Sequence, residues 1–254
     1  MKYKIDKKEV LRYLQVSKKL DDEKLNFLID KTITEIKDLI NLRYLYQKFP
    51  IKITDQGVKV EGTTLSLKGE SIRKHLKDSE KIYIMAATLG TQVDRKISYY
   101  EKISVTKSMI FDACATAAIE GACDYIEAQI KKEVLASENE DISFRYSPGY
   151  GDLGIDIQKE ILRILNAPRK IGLTASKYNM LLPTKSVTAI IGVIAKKIEV
   201  EKQKELLNLD SEDDKEDDNI EARDLEFEQR HCKKCLLYQE CELRRKGIYC
   251  GAKS

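Results

Sequence analysis

Arg145-Tyr146-Ser147-Pro148-Gly149-Tyr150 places a guanidinium, a restricted turn and an aromatic ring within six residues. Arg145 offers a planar fork of donors that matches a carboxylate. Pro148 fixes one backbone angle, and Gly149 lets the chain turn or approach a ligand closely. Tyr150 supplies a ring face and a hydroxyl. Together they suit a zwitterionic amino acid joined to an aromatic base. Read alone, Pro-Gly is also an ordinary turn signal, and both readings stand at this point.

Glu120 lies in a helical pattern among Ala113, Ala117, Ala118, Gly121 and Ala122. A carboxylate on so small a face is buried only if paired. It either faces a cationic ligand, an ammonium or a sulfonium, or borders solvent. Asp124 and Asp112 lie four and eight residues away and extend an acidic stripe. Thr88-Leu89-Gly90-Thr91, between a strand and a helix pattern, can offer backbone N–H groups to an anion. It has one glycine and no phosphate-loop lysine.

Cys232, Cys235, Cys241 and Cys250 form a C-x2-C-x5-C-x8-C array in the last 23 residues. Four thiolates suit tetrahedral zinc or an iron–sulfur cluster, and the spacing does not decide between them. The alternative is four free thiols. Lys233, Lys234, Arg244 and Arg245 offset thiolate charge, and His231 is not needed as a ligand. The two histidines, His75 and His231, sit in no recognisable catalytic context. No nucleophilic triad, Walker loop or dinucleotide fingerprint appears.

Several elements must position these groups. Lys7–Val16 reads as a short helix. Asp21 and Asp22 cap a longer one that runs to about Lys48, before Pro50. Ile51, Ile53, Val58, Val60, Leu65 and Leu67 then suit the strands of a meander. A short helix at 70–77 precedes a strand at 82–87, a helix opening at Thr91, and a long helix over 105–134. The small residues of that long helix permit another backbone to approach closely. Strands follow at 142–146, 177–182 and 186–195, with a helix at 155–165. Strands and helices do not alternate strictly, so the fold class is α+β, with long helices and a small cysteine-rich C-terminal segment.

The 254 residues are 42% hydrophobic and 34% charged, enough for one large domain with an appendage. The net charge of +3 and the lack of a basic, aromatic-interleaved stripe argue against nucleic acid. No signal-peptide core opens the chain, and the apolar run 187–195 is about half a membrane span. A soluble cytoplasmic protein is expected, with its clustered cysteines on metal. Residues 199–230 hold 14 acidic against 5 basic residues and read as a disordered or frayed linker.

The Arg145–Tyr150 stretch resembles the Arg-x-x-x-Gly-Tyr signature of the activation domain of cobalamin-dependent methionine synthase. Ser108–Ile130 is similar to the long helix before that signature, with Glu120 at its ligand-contacting carboxylate. Leu173-Thr174 and Met180–Val187 resemble the later Met…Pro…Ser-Val strand region. The resemblance covers roughly residues 80–196. Ile190 and Ile191 stand where the large synthases carry aromatics, and the family's N-terminal aspartate contact has no counterpart.

The resemblance implies a C-shaped α+β domain with a central antiparallel sheet, methionine synthase activation domain-like, that holds S-adenosylmethionine through Glu120, Arg145, the backbone near Ser147, Gly149 and Tyr150. In the family this domain presents the methyl donor to cob(II)alamin while reduced flavodoxin supplies an electron, giving methylcobalamin. A free-standing short form is expected here, with cobalamin carried by a separate methionine synthase or corrinoid protein and flavodoxin or ferredoxin as electron donor. The organisation is then a domain over 1–198 (1–80 helical and strand part, 80–196 ligand-binding core), a linker at 199–230 and a four-cysteine metal-binding tail at 231–254. Two other readings are an iron–sulfur redox protein serving a corrinoid partner and a non-catalytic S-adenosylmethionine sensor.

Overall fold

The computed structural model describes residues 3–16, 22–136 and 139–196. Asp21, the acidic stretch 199–230 and Cys232, Cys235, Cys241 and Cys250 lie outside these residues.

Asp6 caps α1 (Lys7–Tyr13), and the Asp22 carboxylate caps α2 (Glu23–Leu39) by accepting from the amides of Lys24 and Leu25. The helix predicted to reach Lys48 stops at Leu39, because the next element is β1 (Arg43–Thr54). There Tyr44 and Tyr46 pack towards one core, and Leu45 and Phe49 towards another. That two-residue alternation overrides the helical spacing of the preceding leucines and isoleucines.

β2 (Gly57–Val60) and β3 (Ser66–Leu67) complete the meander, followed by α3 (Glu70–His75) and β4 (Ser79–Thr88). Next come α4 (Thr91–Ile103), α5 (Val105–Leu135) and β5 (Glu140–Ile142). A 3-10 turn (Ile155–Ile157) leads into α6 (Gln158–Ile164). The chain continues through α7 (Ala167–Ile171), β6 (Thr174–Ala175), β7 (Leu181–Leu182) and β8 (Ser186–Ala195). The strand expected at 177–182 shrinks to β7, paired only with β6. Helix α7, begun by a proline in its first turn, was not anticipated from sequence.

Six strands form one sheet in the order β3-β2-β1-β4-β8-β5, with every pairing antiparallel. β1 is shared along its length: Arg43–Pro50 pair with β4 and Ile51–Thr54 with β2. Tyr83, Met85 and Ala87 of β4 enter the core beneath α1, α2, α4 and α5. Ile82, Ile84 and Ala86 enter a second core with α3, α6 and α7. Burial on both faces explains why β4 reads as a continuous apolar run rather than an alternating one. Mixed helices and an antiparallel sheet match the expected α+β class.

The small-residue face of α5 does admit a backbone. An added Cβ on Gly121 would stand 2.8 Å from the Lys4 carbonyl oxygen. The segment before α1 therefore crosses α5 at a point that only glycine leaves open. Among the described residues, no helix is long and apolar enough to cross a membrane.

Candidate functional site

The strand predicted over 142–146 is interrupted. β5 ends at Ile142, and Tyr146 returns as a single bridge to Ile190. Between them Ser143 stands opposite Gly192: its amide donates to the Gly192 carbonyl at 2.8 Å, while the Gly192 amide donates to the Ser143 hydroxyl at 2.8 Å. Three steps from Ser143 to Tyr146 thus face two from Gly192 to Ile190, one extra residue, as in a bulge.

The bulged segment sends neighbouring side chains to opposite layers. Phe144 and Tyr146 flank His75, with ring centroids 4.3 and 5.2 Å away. Arg145 points the other way, to α5. There Nη2 donates to Glu120 at 2.9 Å, and Nη1 donates to Asp124 at 2.6 Å and to Glu127 at 2.8 Å. Glu120, Asp124 and Glu127 lie at helical spacing on one face of α5.

Arg145 is thus already paired within the chain. One guanidinium serves three carboxylates, so a formal excess of negative charge surrounds it. The Arg145 and Glu127 side chains are only 20% and 16% exposed, whereas Asp124 is 54% exposed. Burial opposes the charge on Arg145, but the groups around it, led by Cys123 and Asp124, outweigh burial and raise its pKa. Burial also pushes the Cys123 thiol well up, so Cys123 stays neutral and the carboxylates supply the working counter-charge. Burial raises Glu127 above the usual carboxylate value, offset only in part by its bond to Arg145. Tyr13, at the end of α1, is raised first by burial and then by Glu120.

Ser147, Pro148, Gly149 and Tyr150 form the turn that follows. The Tyr150 amide donates to the Ser147 carbonyl at 3.2 Å, and Gly149 adopts φ +95°. Proline at the second position and a positive φ at the third make it a type II turn. The Tyr146 hydroxyl donates to the Tyr150 carbonyl at 3.2 Å, and Asp152 ties the turn to the start of α3 by accepting from the amides of Glu70 and Ser71. Tyr150 itself is 68% exposed. Of the residues singled out from sequence, Arg145 and Glu120 meet directly, while Ser147, Gly149 and Tyr150 lie on the adjoining turn.

Sequence reasoning missed Glu127, although its place seven residues after Glu120 on a helix was a usable signal. It also missed Lys185, whose ammonium bonds Asp112 and the Thr116 hydroxyl, each at 2.8 Å. Asp112 therefore answers a different cation from Asp124. Two amides of the Thr88–Thr91 turn are bonded within the protein: the Leu89 amide donates to the Lys185 carbonyl at 3.0 Å, and the Gly90 amide donates to the Thr88 hydroxyl at 3.1 Å. Two open depressions, of about 350 and 240 Å³, are lined by other residues, around Arg163 and around Tyr99. Among the described residues, no cluster of three or more His, Cys, Asp or Glu could hold a metal ion.

No protein-family model matches the sequence. No curated protein matches it either. Among solved structures, the chain is similar to a crystal structure of the MetH reactivation domain bound to AdoHcy. The TM-score is 0.51 and the identity 14%, over 72% of this chain and 71% of that one. The shared feature is the fold, mixed helices with an antiparallel sheet.

Proposed function

We propose that this chain binds S-adenosylmethionine beside α5. The observation that carries the reading is the 2.9 Å contact between Arg145 and Glu120, in a fold similar to a domain whose crystal structure holds AdoHcy. A zwitterion with an added sulfonium needs one fixed cation for its carboxylate and surplus negative charge for its two cationic centres. Arg145 provides the first, and Glu120 with its neighbours provides the second. The Ser147 backbone, Gly149 and the exposed ring of Tyr150 supply a turn and an aromatic face for the adenosyl group.

In its finer form, the proposal is that the bound ligand donates its methyl group to cobalamin on a separate methionine synthase or related corrinoid methyltransferase. One electron from flavodoxin or ferredoxin and the sulfonium methyl group together convert cob(II)alamin to methylcobalamin, leaving S-adenosylhomocysteine. The Cys232, Cys235, Cys241 and Cys250 array is proposed to hold zinc or an iron–sulfur cluster.

Titration calorimetry with S-adenosylmethionine tests the first step. Arg145→Lys keeps the charge but loses the planar fork, and we expect it to weaken binding by about ten- to a hundredfold. Glu120→Gln should also weaken it. A well-folded protein that binds nothing at millimolar ligand would end this reading. Transfer of labelled methyl to cob(II)alamin on the partner, with a reductant, tests the second step, and binding without transfer leaves a sensor.

A further inference from the structure

We infer that Asp124 and Glu127, which share the Nη1 nitrogen of Arg145, act in opposite senses on a carboxylate-bearing ligand: Asp124 competes with it, and Glu127 positions the guanidinium to receive it. The inference rests on the reading that an S-adenosyl amino acid binds at Arg145.

Three carboxylates already surround one guanidinium, at 2.6, 2.8 and 2.9 Å. A ligand carboxylate would be the fourth anion, so its entry favours the departure of one of the three. The three differ in what departure costs. Glu127 is 16% exposed, and without Arg145 it would be a charge largely withdrawn from water and deprived of its nearest cation. Glu120 holds the other terminal nitrogen, Nη2. Asp124 is 54% exposed, and its oxygen is rehydrated as soon as it leaves. Exchange of Asp124 for the ligand carboxylate on Nη1 conserves both the number of charge-assisted bonds and the charge at the guanidinium.

Asp124 also attracts the ligand's positive groups. That attraction acts through solvent on an exposed side chain and is screened. The bond it must surrender is a direct charge-assisted one. The competition therefore outweighs the attraction, and removing the Asp124 charge should tighten binding. Glu127 works through Arg145: it anchors one side of the fork from within the protein, so that the guanidinium keeps its orientation when Asp124 leaves.

The test is calorimetry on the full chain with S-adenosylmethionine and with its decarboxylated analogue, which keeps the sulfonium and ammonium but has nothing for Arg145 to hold. Asp124→Asn should tighten S-adenosylmethionine by about five- to tenfold, the competing charge-assisted bond set against a screened attraction. It should leave the analogue unchanged or slightly weaker. Glu127→Gln should weaken S-adenosylmethionine by about tenfold or more while the analogue stays within about twofold. Unchanged or weaker S-adenosylmethionine binding by Asp124→Asn overturns the inference and leaves the binding site standing. Equal weakening of both ligands by Glu127→Gln reduces Glu127 to a structural role and overturns its part. Failure of the unaltered chain to bind S-adenosylmethionine overturns the parent reading instead. Should Glu127→Gln not fold, Asp124→Asn decides alone, since its side chain is largely in solvent.

Discussion

The His75 Nε2 atom lies 3.0 Å from the Ser143 hydroxyl, at the point where the β5–β8 ladder replaces a backbone acceptor with a side chain. His75 thereby braces the bulge that aims Arg145 at α5. Burial lowers its pKa to about 4, against an ordinary 6.5. In the unfolded chain the ring takes up a proton near pH 6.5, whereas in the folded chain it resists until about pH 4. The contribution is therefore complete above pH 6.5 and is lost as the pH falls towards 4. At pH 5 the loss amounts to roughly 2 kcal/mol. Urea denaturation at pH 7 and pH 5 should show that loss, and His75→Gln should remove most of the difference. An equal pH dependence in the variant would rule out this role for His75.

Arg145→Ala should be costly to the fold as well as to binding. It leaves the largely covered Glu127 without its cation and brings three carboxylates together unneutralised. Breaking a buried pair from one side typically costs about 3–5 kcal/mol, and partial exposure of the others reduces this to about 2–4 kcal/mol here. Thermal melts should show a large loss for Arg145→Ala and a smaller one for Arg145→Lys. Equal melting of unaltered and alanine proteins would mean that the three ion pairs contribute nothing to the native state.

Gly121→Val should destabilise by about 2 kcal/mol. The Cβ alone would meet the Lys4 carbonyl at 2.8 Å, and that neighbour is backbone, which cannot rotate aside. The better helix propensity of valine over glycine recovers only a few tenths of a kcal/mol. Chemical denaturation checks the sign; a gain in stability would mean that the segment before α1 does not lie against α5.

For the cysteine array, we expect anaerobically purified protein to carry about one zinc, or several irons, per chain. Elemental analysis and a visible absorption spectrum separate the two. Four freely titrating thiols in metal-free protein would remove the proposed centre. Truncation near Glu205 should leave S-adenosylmethionine binding intact, because the residues proposed to contact it all precede Gly151.

The long helix was legible because alanines at helical spacing persist over many turns, and Glu120 stood out as a charge among them. Arg145 stood out for its Pro-Gly neighbour. Their meeting was not legible as an ion-pair cluster: 25 residues separate them, and only the bulge after β5 turns the guanidinium towards α5. Glu127 shared a helix face with Glu120 by spacing, but its pairing with Arg145 arises only through that turn. The start of β1 was misread for a related reason. Leu39, Leu42 and Leu45 keep helical spacing, while the choice of strand comes from β4 alongside it. The cis peptide before Pro183 likewise had no local signal beyond the proline itself.

Strand β4 is clad in hydrocarbon on both faces and flanked by β1 and β8 along its edges. Its amides from Ile82 to Ala87 reach solvent only when both layers separate, so their exchange with deuterium should report global unfolding. The amides of Phe144 and Arg145 lie between the ladder contacts of Ser143 and Tyr146, beside an exposed turn. They should exchange through a much smaller opening. A ligand gripping Arg145 would slow the second set by holding that opening shut. It would slow the first only by its contribution to overall stability. One deuterium-exchange experiment could therefore separate ordering at the site from stabilisation of the whole domain.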